Sequence, residues 1–101
     1  MEETVELGGS ISLTGFNSLE PGMMVVVKKI VGTYAKKFSE TFADFENLSL
    51  RLKSIHEREK SQKWEMTGKV LAKGKAYTAE VTDRNVFIIL DKVLKKLEVQ
   101  A

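Results

Sequence analysis

In Asn47-Leu48-Ser49-Leu50-Arg51-Leu52-Lys53-Ser54-Ile55 polar and apolar residues alternate without a break as far as Lys53. Successive side chains of a strand point to opposite faces, so this period of two puts Leu48, Leu50 and Leu52 on one face and Ser49, Arg51 and Lys53 on the other. A strand with one apolar face needs cover on that face only, which points to a sheet with helices on one side. The same reading extends in both directions. Trp64 to Lys73 alternates again, with Trp64, Met66, Val70 and Ala72 together, and Gly74 ends it. Tyr77, Ala79 and Val81 mark a further strand, joined to the previous one by a tight turn around Lys73-Gly74-Lys75. Toward the N-terminus, Ile11-Ser12-Leu13-Thr14-Gly15 reads as a short strand. Val5 and Leu7 continue its alternation, but Gly8-Gly9 weakens that extension. Residues 1–9 therefore read as a flexible lead-in and 10–101 as a single domain.

Between these strands the period changes. From Gly22 to about Phe42, Met24, Val27, Val31, Tyr34, Ala35 and Phe38 fall within one arc at 100° per residue, with Lys29 and Lys36 opposite and Lys28 and Lys37 flanking. Ser18 or Glu20 stands near the cap, and Pro21 suits the first turn. Thr82, Asp83 and Asn85 supply cap candidates for a last helix running to about Val99. Its Val86, Ile89, Leu90, Val93, Leu94 and Leu97 face inward, while Lys92, Lys95 and Lys96 face out with Arg84 near their side. The expected fold is α+β: a two-layer β-α-β-β-β-α domain, a four-stranded sheet with two helices packed on one face. Its other face would show Ser12, Thr14, Ser49, Arg51, Lys53, Thr67, Lys69, Lys73 and Thr78 to water. Tyr34, Phe38, Phe42, Trp64 and Tyr77 are expected in the core and Phe16 outside it.

Several kinds of chemistry find no support in the 101 residues. There is no cysteine, hence no disulfide, thiolate metal site or cysteine nucleophile. The longest apolar runs, Met23–Val27 and Val86–Leu90, are far short of the roughly 20 residues a membrane span needs. The Met-Glu-Glu start lacks the basic and apolar regions of a secretory signal, so a cytoplasmic location is expected. The single histidine, His56, opens a charged connector to Lys63. Glu57 and Glu59 beside it read as a solvated loop tip, and no second histidine exists to share a metal. Phosphate loops and serine nucleophile elbows are missing too. The chain is not expected to be an enzyme, and no catalytic residue, metal or cofactor is assigned.

Charge is the remaining signal. The formal net charge is only +2, yet residues 1–50 carry −3 and residues 51–101 carry +5. Lys28, Lys29, Lys36 and Lys37 stripe the outer face of the first helix; Arg84, Lys92, Lys95 and Lys96 do so on the second. With both helices on one side of the sheet, the two stripes share a surface able to displace counterions from a phosphate backbone. No aromatic platform accompanies them, which favours structured RNA read through its phosphates over single strands read by stacking.

Three stretches resemble the hibernation promoting factor family of ribosome-associated inhibitors. Ile11–Gly15 is similar to that family's opening strand, and Tyr34-Ala35-Lys36-Lys37-Phe38 to the Lys-rich end of its first long helix. Tyr77 to Glu98 resembles its last strand and its last helix, which carries an aromatic…Ile-Asp…Asp-Lys-Leu pattern. Val81 stands where a Glu is usual, Asn85 where an Asp is, Ile88-Ile89 where small residues are, and Lys95 where an acid is. The resemblance implies the β-α-β-β-β-α fold and a short-form protein whose partner is the small ribosomal subunit and its rRNA. Such a protein occupies the tRNA/mRNA channel, inhibiting translation or protecting idle ribosomes under stress. Lys28, Lys29, Lys36, Lys37, Arg84, Lys92, Lys95 and Lys96 are the candidate RNA contacts. Alternatives are a double-stranded RNA module outside the ribosome, and a protein-interaction module forming a weak homodimer through a sheet edge or the Ile88 surface.

Overall fold

The computed structural model describes residues 4–7, 10–56 and 62–101. Along the chain run β1 (Thr4–Leu7), β2 (Ile11–Thr14), α1 (Pro21–Thr41), β3 (Phe45–His56), β4 (Gln62–Ala72), β5 (Lys75–Asp83) and α2 (Val86–Glu98). The strands lie in the sheet in chain order. β2 and β3 are parallel, with α1 as the crossover between them, and the other neighbours are antiparallel. The expected α+β architecture is present, with one addition. Thr4–Leu7 pairs with β2 (Val5 opposite Leu13), so these residues form a fifth, edge strand where a lead-in was expected. Four residues show too little alternation to be read alone; the partner strand supplies the hydrogen bonds that hold them.

Leu48, Leu50 and Leu52 face Val70, Gly68 and Met66 across the β3–β4 ladder, and the leucines, Met66 and Val70 are buried. Leu13, opposite Leu50 on the parallel side, continues the row. Val27, Val31, Ala35 and Phe38 of α1 and the six apolar residues expected to face inward from α2 join the same core. Both helices thus cover one face of the sheet, as the alternation required. A chain of rings, Tyr34, Phe38, Phe42 and Tyr77, carries this layer from α1 to β5 with centroids 5.8, 5.5 and 5.0 Å apart.

Local chemistry sets the ends of the elements. Pro21 occupies the first turn of α1 after Glu20, whose side chain makes no capping bond. Asn85 caps α2: its Oδ1 accepts from the N–H groups of Phe87 and Ile88 at 2.9 and 3.2 Å. Lys73 and Gly74 both take positive φ, 54° and 73°, giving the two-residue turn that matches the twist of the β4–β5 hairpin. Phe16 is the clearest departure from expectation. Gly15, at φ 80°, turns the chain into a short 3-10 turn, and this carries Phe16 into the core, where it is 1% exposed. Trp64, Tyr77 and Tyr34 are half-buried at the core's margin.

Candidate nucleic-acid interface

The lysines of the helical layer do not point in one direction. Lys37 of α1 and Glu98 of α2 form an ion pair across the seam between the helices, which fixes the side of each helix that faces the other. Lys28 lies half a turn from Lys37 around α1, on the flank turned away from α2. Lys96 is nearly opposite Glu98 around α2, on the flank over β5. Lys29 and Lys36 on α1, and Lys92 and Lys95 on α2, face outward from the layer and are exposed. Arg84 stands beside the N-terminal end of α2, also exposed. The eight expected cations thus comprise a central group of four, one seam residue and three at the margins.

Carboxylates offset some of this charge. Besides Lys37, Lys95 pairs with Asp91 at 3.1 Å one turn earlier on the same helix. Lys92 reaches Asp83 at the end of β5 at 3.7 Å. The hydrogen bond to Glu98, then its charge, raises the Lys37 ammonium above its ordinary pKa; Asp91 does the same for Lys95. Asp83 is held below the usual carboxylate range, first by the Arg84 backbone N–H and then by Asn85 and Lys92. Lys28, Lys29, Lys36, Lys96 and Arg84 have no carboxylate within 4 Å among the described residues. Their charge is available to an outside partner.

Sequence periodicity missed the space between the helices. Ile30, Thr33, Tyr34, Phe87 and Asp91 line an apolar groove of about 310 Å³, and Val26 and Ile88 are also exposed on these two helices. Tyr34, expected in the core, packs against it from the margin and also lines this groove, as its place at the edge of the apolar arc allows. On the opposite side of the molecule the uncovered sheet face forms a shallow depression of about 610 Å³. Ser12, Thr14, Ser49, Arg51, Lys53, Thr67, Lys69 and Thr78 line it as expected, but Glu65 lies among them, so cations and acids are mixed there. Lys73 sits in the β4–β5 turn instead. The His56 side chain and residues 57–61, including Glu57 and Glu59, lie outside the described residues. Among the described residues no cluster of metal-ligating side chains occurs, and no helix is long and apolar enough to cross a membrane. Compared with models of known protein families and with curated proteins, the chain matches none.

Proposed function

We propose that this chain is a non-enzymatic regulator that binds the small ribosomal subunit through its helical layer. By occupying the tRNA/mRNA channel it would inhibit translation or protect idle ribosomes under stress. The observation that carries this reading is the outward placement of Lys29 and Lys36, without acidic partners among the described residues, on the same helical layer as the exposed Lys92 and Lys95. Long flexible ammonium groups on the outer side of the helical layer suit contact with phosphates spread over a folded RNA surface. The half-buried state of Tyr34, Trp64 and Tyr77 leaves no exposed aromatic platform, which argues against single-strand stacking. The resemblance of Ile11–Gly15 and Tyr77–Glu98 to the hibernation promoting factors supports the ribosome over other structured RNAs.

Co-sedimentation with purified small subunits at increasing salt tests the proposal. The protein should travel with the subunit at low salt and leave it progressively as salt rises. Tight binding to plain duplex RNA, with no association with the subunit, would instead make the chain a double-stranded RNA module.

A further inference from the structure

β5 is an unprotected sheet edge. It runs for nine residues, Lys75–Asp83, with an unbroken register against β4. It contains no proline, and among the described residues no other strand covers it. Proteins usually shorten, bulge or cover such an edge because its free N–H and C=O groups invite another strand. The opposite edge, β1, is only four residues long.

The two-residue turn decides which groups are free. Ala72 and Lys75 flank it as a hydrogen-bonded pair, so alternation directs the N–H and C=O of Tyr77, Ala79 and Val81 toward β4. Those of Ala76, Thr78, Glu80 and Thr82 point outward. Gln100 agrees with this assignment: its Nε2 donates to the Thr78 carbonyl at 2.9 Å, covering one outward acceptor.

We propose that two copies of this chain join through β5, antiparallel about a two-fold axis at Ala79, to form one continuous sheet. About that axis the strand is complementary to itself. Lys75 stands opposite Asp83, and Tyr77 opposite Val81, on the helix-bearing face. Thr78 stands opposite Glu80 and Ala76 opposite Thr82 on the other face, and both pairs are of the outward, hydrogen-bonding kind. Neighbouring registers lose this match. An axis at Glu80 sets that carboxylate against itself, and an axis at Thr78 sets Lys75 against Val81; like charges directly opposite destabilise a ladder. In the proposed register the two helical layers lie on the same side of the joined sheet, so their lysines form one longer basic surface. The Gln100 amide must leave Thr78 for the pairing to complete.

Light scattering on nuclease-treated protein over a concentration series tests this. The mass should rise from one chain toward two, and Gln100→Ala, which uncovers the Thr78 carbonyl, should shift the rise to lower concentration. Glu80→Pro removes an outward N–H from each copy while sparing the β4 ladder, and should weaken association about tenfold or more. Ala79→Cys gives an independent reading. The two Ala79 positions form a non-hydrogen-bonded pair, with Cα atoms about 4.5 Å apart, within reach of a disulfide. Mild oxidation should therefore crosslink Ala79→Cys faster than Thr78→Cys. A mass of one chain at every concentration overturns the proposal. So does a dimer in which the two cysteine variants crosslink equally or neither does.

Discussion

Gly68 lies directly beneath Val93: a Cβ at position 68 would stand 2.5 Å from Val93 Cγ1 and 3.0 Å from Leu97 Cδ1. Gly68 is paired with Ala79 of β5, so two small residues side by side make the floor on which α2 rests. A larger side chain at Gly68 must push the helix off the sheet. Alanine is ordinarily the better strand residue by conformational entropy, but here crowding outweighs it. Gly68→Ala should destabilise the fold by about 1–3 kcal/mol, the usual cost of overpacking a filled core. Urea unfolding measures this, and a variant as stable as the parent would show that α2 is not seated as closely as described.

Asn85 presents a separable contribution. Its Oδ1 accepts two backbone N–H groups at the start of α2, donors that would otherwise have no partner within the helix. Asn85→Ala should cost about 1 kcal/mol, and Asn85→Asp, which retains the acceptor, should cost little or nothing. Since Asn85 is exposed, no packing loss confounds the comparison of the two melting curves. Equal losses in both variants would mean that the cap contributes nothing measurable.

The ion pairs make predictions of opposite sign at the two ends of the pH scale. Asp83, bound to the Arg84 N–H at 2.6 Å, has a folded pKa below its unfolded one. Its stabilisation is complete above the unfolded value, about 3.9, and is lost as pH falls through the folded value. Lys37 and Lys95 are raised by Glu98 and Asp91. Theirs is complete below about 10.4 and is lost as pH rises through the folded value. Melting temperatures measured against pH should show Asp83→Asn flattening the acid limb only. Lys37→Met should flatten the alkaline limb only. Lys37, Lys95 and Asp91 are exposed, and Asp83 and Glu98 are half-exposed, so both effects should shrink in high salt.

Periodicity made the frame legible because each one-faced strand and striped helix carries its own burial pattern. Leu48, Leu50 and Leu52 needed no neighbour to declare an inward face, nor did Val93 and Leu97. Relations between elements were another matter. The separation of Lys37 from Glu98 along the chain holds no hint that they meet, because a helical wheel places a residue on its own helix and not against another. The same gap hid the divergence of Lys28 and Lys96 to opposite flanks. Phe16 misled because it lies outside any periodic run; the positive φ of Gly15 decides its burial. Thr4–Leu7 was too short to read without the strand that pairs it. Gly68 holds the apolar-face position between Met66 and Val70, but nothing in the alternation tells that Val93 and Leu97 of α2 close down on it.

Division of the lysines into partnered and unpartnered ones yields the sharpest test of the helical layer as an RNA-binding face. Among the described residues Lys29 and Lys36 have no carboxylate to satisfy, so a phosphate contact costs them no partner there. Lys95 must share with Asp91, and Lys92 with Asp83. Each phosphate contact contributes about 0.7–0.9 to the slope of log affinity against log salt. Lys29→Gln and Lys36→Gln should each weaken subunit binding at low salt and lower that slope by about this amount. Asp91→Asn should act in reverse: it releases Lys95, so binding tightens and the slope steepens. The opposite signs matter because loss of folding would weaken binding in every variant, whereas only an electrostatic surface predicts a gain from Asp91→Asn. Unchanged slopes in the two lysine variants, with circular dichroism intact, would remove the helical layer as the binding face.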